Sequence, residues 1–211
     1  MTKVPLVYPK IQGSKDHPSG KCILFEKIDG TNVHWVWSQT AGFNTFGLRR
    51  RQYSLNQEGK ESFARNHAEL SEATDLFEAL SDPLIEIIEK LAASEVIVFT
   101  EFAGPNSFSG RHRREDEKRL VLIDVFVDGA RMPPETFISL FKAFELPRVV
   151  YRGTLSGEVA NDVRDGRFRV QEGVVAKSIK SQNGWMVKIK TSAYQERLKS
   201  HYGSKWKEYW E

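Results

Sequence analysis

The sequence predicts an α+β fold, and three observations point there. Short apolar runs of strand length recur along most of the chain, one long interval carries helical spacing, and no regular strand-helix-strand alternation develops. Sheets that are antiparallel or mixed, with inserted helices, satisfy all three. The 211 residues suit one domain, given about 150 residues for a typical one. With 40% hydrophobic, 28% charged and 11% aromatic residues, the composition supports a packed core and excludes a disordered chain.

The elements follow in order. Lys21–Glu26 reads as a short buried strand that delivers the chain to Lys27-Ile28-Asp29-Gly30. In the next run Val33, Trp35 and Trp37 alternate with His34, Val36 and Ser38, the period of a strand with one packed face, which makes both tryptophans core residues. A third strand covers Gly42–Gly47. Between Glu61 and Leu91, Phe63, Leu70, Leu76, Phe77, Leu80, Leu84, Ile87, Ile88 and Leu91 predict helices, with a break at Ser81-Asp82-Pro83 where Asp82 caps a second helix. Ser94–Gly104 and Arg119–Val127 read as strands, Pro133–Phe144 and Gly157–Asp165 as helices, and Glu172–Ile179 and Trp185–Lys190 as strands. An aromatic-seamed helix is expected over the last twenty residues. This gives a body over residues 1–190 and a helical tail over 191–211, with no further domain.

Composition narrows the setting. Cys22 is the single cysteine, so an intramolecular disulfide and a multi-thiolate metal site are both excluded, and a reduced, cytosolic (cytoplasmic) location is expected. Residues 30–48 lack Asp, Glu, Lys and Arg but contain Asn32, His34, Gln39 and Asn44, so they do not form a membrane span. The net charge of +3 permits nucleic-acid contact through a local patch without establishing it. One such patch is Arg111–Arg119, with five basic and three acidic residues.

The chemistry lies where charges interrupt apolar strands. Lys27, Glu101, Glu172, Lys188 and Lys190 all sit on or beside such runs, and a charge there is costly unless it is paired or faces a cleft. Lys188 and Lys190, two apart, point to one face of their strand. Two adjacent ammonium groups repel each other, and a shared polyanion relieves the repulsion.

These residues belong to a recognisable series. Glu26-Lys27-Ile28-Asp29-Gly30-Thr31-Asn32, Glu101-Phe102-Ala103-Gly104-Pro105, Gln171–Lys177 and Val187–Lys190 stand in the order and approximate spacing of the covalent nucleotidyltransferase motifs. The chain thus resembles that superfamily, and within it the RNA ligase 2 type, which shares a lead-in like Tyr8-Pro9-Lys10-Ile11. The likeness runs from about residue 8 to 190. It implies an ATP-grasp-like ligase catalytic domain with a nucleotide cleft flanked by sheets. ATP and Mg²⁺ or Mn²⁺ are the implied cofactors. RNA with 5′-phosphate and 3′-hydroxyl ends is the implied substrate.

The same resemblance assigns roles. Lys27 becomes the nucleophile that takes AMP, which requires a neutral amine although a free lysine has a pKa of about 10.4. Lys188 and Lys190 hold the α-phosphate and stabilise charge at phosphorus. Glu172 serves the metal, a hard cation that suits an oxygen ligand. Glu101 accepts from the ribose hydroxyl, Ile123 walls the adenine with Asp124 in support, and Asn32 and Lys177 attend the phosphate and the later ligation steps. Glu26, Ile28 and Asp29 flank the nucleophile within the nucleotide site. One arginine after the nucleophile binds ribose or a substrate phosphate: Arg51 fits the motif through Leu55, and Arg50 fits almost as well. His34 and His112 have no metal-spaced partner and are expected to be incidental. Only 21 residues follow Lys190, whereas family members carry a further domain there. The grip on nucleic acid therefore falls to the tail, to the Arg111–Arg119 loop or to an accessory chain.

Overall fold

The computed structural model describes residues 2–3, 7–15, 18–180 and 184–209. They form two compact units, one from Met1–Pro9, Gly30–Met132 and Thr136–Leu146, the other from Lys10–Asp29, Pro133–Glu135 and Pro147–Glu211. The chain passes from the second to the first between Asp29 and Gly30, inside the lysine motif.

In chain order the strands are β1 (Thr2–Lys3), β2 (Gln12–Gly13), β3 (Gly20–Lys27), β4 (Thr31–Ser38), β5 (Gly42–Leu48), β6 (Arg51–Ser54), β7 (Glu95–Ala103), β8 (Arg119–Val127), β9 (Ala130–Arg131), β10 (Val149–Leu155), β11 (Gly173–Ser178) and β12 (Met186–Lys190). The helices are α1 (Gln57–Asn66), α2 (Glu72–Ile88), α3 (Pro134–Phe141), α4 (Gly157–Arg164) and α5 (Ser192–Tyr202).

The first unit holds a seven-stranded antiparallel sheet ordered β1-β6-β5-β4-β7-β8-β9. One face is apolar because every second residue of its strands is apolar: Val33, Trp35 and Trp37 from β4, Phe46 from β5, Tyr53 from β6, and Val96 and Val98 from β7 pack with Phe63, Phe77, Leu84 and Ile88 of α1 and α2. Trp35 stacks at 3.8 Å on Phe77.

The expected break before Pro83 does not occur, because α2 runs through it without interruption. A proline inside a helix costs one backbone hydrogen bond and roughly 3 kcal/mol. Phe77, Leu84 and Ile88 keep one buried stripe on both sides of the proline, and this packing holds the helix together.

The second unit holds a five-stranded mixed sheet ordered β10-β3-β11-β12-β2, in which β2 pairs parallel with β12 and the other pairs are antiparallel. Cys22, Leu24, Val174, Ala176, Val187 and Ile189 share a face with Leu155, Ala160 and Val163, and form its core. Burial pushes the Cys22 thiol up to about 11, which leaves it protonated and inert at neutral pH. Strand β10, along the edge beside β3, is absent from the sequence reading; its residues half-expose themselves and lack a clear alternation. No helix among the described residues is long and apolar enough to cross a membrane.

Candidate functional site

The second unit carries the lysine set. Its register places Lys27 opposite Gly173 and Gly173 opposite Lys190, then Phe25 opposite Val175 and Val175 opposite Lys188, then Ile23 opposite Lys177. Directly opposed residues share a face, so Lys27, Lys177, Lys188 and Lys190 lie together on the side away from the apolar core. Gly173 makes the centre of this grid possible. Its φ is +153°, and a Cβ there would sit 2.0 Å from the carbonyl oxygen of Ile189.

Glu172, just before that glycine, joins the set. Lys27 Nζ donates to Glu172 Oε2 at 2.8 Å, and Lys190 Nζ lies 3.2 Å from Oε1. The Glu172 side chain is 3% exposed and that of Lys190 8%, whereas Lys27 keeps 24%, so the nucleophile candidate is the accessible member of the triad. One carboxylate between two ammonium groups leaves a local excess of positive charge, suited to a phosphate. Lys177, buried, places its ammonium 4.9 Å from the Phe25 ring centroid.

Asp29 and α5 complete this group. Thr191 caps α5 by accepting from Tyr194 N, and it donates its own hydroxyl to Gln171 O while its backbone N–H bonds Glu172 O. Tyr194 OH donates to Asp29 Oδ2 at 2.7 Å, and the ring lies 5.0 Å from Lys190 Nζ. Glu26 is not with the set. It precedes Lys27 on the same strand and so faces the opposite way, where Arg148 Nε donates to its carboxylate at 3.1 Å. Ile28 follows the end of β3, half-buried.

The first unit carries a second set. Asn32 opposes Glu101, His34 opposes Phe99 and Gly47, Phe99 opposes Asp124, and Gly47 opposes Gln52. All of these polar groups therefore share the face turned from the Trp35 core. Gly30 admits β4 to this position: a Cβ there would lie 2.4 Å from Phe102 O and 2.9 Å from Glu101 Cγ. Asn32 Nδ2 donates to Thr100 O at 3.3 Å, while its Oδ1 is buried with no hydrogen-bond partner. Ile123 is the extra residue where β8 bulges between its pairs Leu122–Thr100 and Asp124–Phe99, a device that re-aims a side chain.

Asp124 is buried and accepts from Tyr8 OH at 2.7 Å. Burial, and then the Asp124 charge, hold the Tyr8 phenol well above its usual range. Tyr8 also packs edge-on to Phe99 at 4.8 Å, so it is part of this face although only a lead-in motif marked it in the sequence. Arg50 lies exposed in the turn before β6. Arg51 begins β6 opposite Leu48, on the side of Tyr53 and the helices, and not on the Asn32 face. Desolvation, with the Arg51 charge and against the Glu69 charge, lowers the nearby His67.

Both histidines take structural places in the first unit. His112 Nε2 bonds Thr31 Oγ1 at 2.9 Å and its Nδ1 bonds Ser107 Oγ at 3.1 Å, which ties the basic loop to the start of β4. The loop is clamped again at Asp116, which accepts from Asn106 N and Nδ2; the Asn106 side-chain bond is the main cause of its lowered carboxyl pKa. His34 is fully buried. Gln52 Nε2 lies 3.2 Å from its Nε2, and its Nδ1 is buried with no hydrogen-bond partner.

Burial pushes the His34 imidazole down to about 4 from 6.5. The unfolded chain takes up this proton below about 6.5 and the folded chain only near 4, so stability falls as pH falls through that window and is flat above it. Between pH 8 and pH 5 this contributes a loss of about 2 kcal/mol. Urea unfolding of the wild type and of His34→Asn at the two pH values tests it, with the loss expected to shrink in the variant.

No group of three or more His, Cys, Asp or Glu residues among those described could by itself cage a metal ion. A lone buried carboxylate fits a divalent cation that keeps its waters and takes its other ligands from substrate phosphates.

The fold matches solved RNA ligases at low identity. The Naegleria gruberi RNA ligase with PPi superposes with a TM-score of 0.59 at 15% identity, over 94% of this chain and 60% of that one. A mutant of the same Naegleria enzyme with ATP and Mn gives 0.53 at 17%, over 84% and 52%. An archaeal ATP-dependent RNA ligase gives 0.53 at 17%, over 92% and 50%. The chain thus spans 60% or less of the length of these structures. No curated protein matches. The sequence profile of the RNA ligase family matches residues 20–199, and on that match, together with the lysine grid on the β3-β11-β12 face, the chain belongs to the RNA ligase family.

Proposed function

We propose that this chain is the catalytic domain of an ATP-dependent RNA ligase that works through a lysyl-AMP intermediate on Lys27. The observation that carries the reading is the carboxylate of Glu172 held between the ammonium groups of Lys27 and Lys190, beside Lys188 on one sheet face.

In the first step the neutral Lys27 amine attacks the α-phosphorus of ATP, an N–P bond forms, the bond to pyrophosphate breaks, and the nitrogen gives up its second proton to solvent. Lys188 and Lys190 stabilise the charge that builds on the phosphoryl oxygens. AMP then passes to an RNA 5′-phosphate, and a 3′-hydroxyl attacks that phosphate and expels AMP. Lys177 and Asn32 serve these later steps, Glu101 accepts from the ribose hydroxyl, Arg50 or Arg51 binds the ribose or a substrate phosphate, and Ile123 with Asp124 serves the adenine. A divalent ion held by Glu172 would add positive charge at the phosphates. We place the protein in the cytosol, acting on broken RNA, with the Arg111–Arg119 loop, α5 or an accessory chain supplying grip on the strand.

The test is covalent labelling. Protein incubated with Mg²⁺ and α-labelled ATP or GTP is digested, and the adduct is mapped by mass. The expected result is AMP on Lys27, followed by loss of label when 5′-phosphorylated nicked RNA is added. An adduct on another residue refutes the nucleophile, GTP-only labelling refutes the ligase reading, and sealing of nicked DNA alone refutes RNA as substrate.

A further inference from the structure

The sequence motifs end at Lys190, yet the group they define continues into α5. Asp29, Lys27, Glu172, Lys190 and Tyr194 form a closed ring within the second unit: Lys27 bonds Glu172, Glu172 pairs with Lys190, Lys190 faces the Tyr194 ring, and Tyr194 OH bonds Asp29, two residues from Lys27. Tyr194 is 5% exposed, and its backbone is fixed by the Thr191 cap, which in turn is tied to the carbonyls of Gln171 and Glu172. It is therefore a rigid post joined at one end to the segment bearing Glu172 and at the other to the acid of the lysine motif.

We propose that Tyr194 is a positioning residue for adenylation, acting through Asp29 and Lys190; the inference rests on the lysyl-AMP reading above. The two groups it holds flank Lys27: Asp29 lies two residues along the chain, and Lys190 shares the Glu172 carboxylate with it, so a shift of either takes the amine off its line of attack on phosphorus. The hydroxyl fixes how the Asp29 carboxylate is turned. The ring, whose face attracts cations, fixes Lys190 between itself and Glu172. Losing the hydroxyl alone removes one bond to Asp29 and leaves the ring beside Lys190.

The test measures single-turnover formation of lysyl-AMP in the full chain, with Mg²⁺ and α-labelled ATP, for the wild type, Tyr194→Phe, Tyr194→Leu, Asp29→Asn and the double variant Tyr194→Phe with Asp29→Asn. A hydrogen bond to a charged group predicts that Tyr194→Phe slows the step about tenfold or more at saturating ATP. The ATP concentration at half-maximal rate should stay within about twofold and the melting temperature should fall by only a few degrees, because one hydrogen bond is lost while the ring and its packing remain. Tyr194→Leu should be slower still. In the Asp29→Asn background the Phe change should cost less than in the wild type, since the amide still accepts from the hydroxyl but without the charge that strengthens the bond.

Wild-type rate in Tyr194→Phe overturns the proposal, and so do fully multiplicative effects of the Phe and Asn changes. A wild type that takes no label overturns the lysyl-AMP reading as well, a failure visible before any variant is compared.

Discussion

Glu172→Gln is expected to slow lysyl-AMP formation by about 10² to 10³, the range seen when a single group that stabilises developing charge is removed. The sign of this effect is informative. Glutamine keeps the volume and loses the charge, so Lys27 is freed from its 2.8 Å ion pair. If pairing were the carboxylate's only effect on the reaction, the amine would lose its proton more readily and the step would accelerate. The proposed function requires the reverse, because the same carboxylate spaces Lys27 from Lys190 and, in that reading, holds a divalent ion beside the phosphates. Without it two ammonium groups face a neutral amide, and removal of one partner from a buried ion pair costs about 3–5 kcal/mol where both are fully buried. Lys27 is partly open to solvent, so the loss of stability should fall below that range. Single-turnover labelling decides: a rate equal to or above wild type removes Glu172 from catalysis and leaves it a structural counter-ion.

Much of this site could be read from the sequence because strand alternation is a strong constraint. Lys188 and Lys190 share a parity, and that alone puts them on one face. The same constraint separates Glu26 from Lys27, since adjacent residues of a strand face opposite ways, and the pair with Arg148 shows where that side chain went. Arg50 and Arg51 could not be separated, because parity has no origin until the first residue of β6 is known. Ile123 depends on a bulge, which breaks the alternation that would otherwise place it. Tyr194 lies beyond the last motif, in a helix whose sequence shows only an aromatic seam, and its hydroxyl acquires a role only when Asp29 is brought to it over 165 residues of chain. The break expected at Pro83 failed for a different reason: local propensity was weighed without the buried stripe that outweighs it.

Trp35→Ala is expected to be the most destabilising substitution in the first unit, by about 4–5 kcal/mol, the upper part of the range for a fully buried aromatic. Trp35 is fully buried and lies nearly parallel to two rings, at 3.8 Å from Phe77 of α2 and 5.5 Å from Phe46 of β5. Its removal opens a void between the sheet and the helix that covers it, and the neighbours cannot close that void without dragging α2 across the sheet. Its Nε1 also donates to Thr100 Oγ1 at 2.9 Å, and that hydroxyl donates to Val33 O at 3.1 Å, a bridge between β4 and β7. Trp35→Phe keeps a ring between Phe77 and Phe46 and loses that indole bond and part of the volume, so it should cost less, about 2 kcal/mol. The difference between the two variants separates stacking from hydrogen bonding. Asn32 and His34 project from the other face of the same strand, so a shift of β4 reaches the polar set directly. At a few degrees per kcal/mol for a chain of this size, Trp35→Ala should lower the melting temperature by about 10 °C or more. A drop of under about 3 °C would mean that α2 does close the gap, and that the Trp35 stack is not what fixes the helix to the sheet.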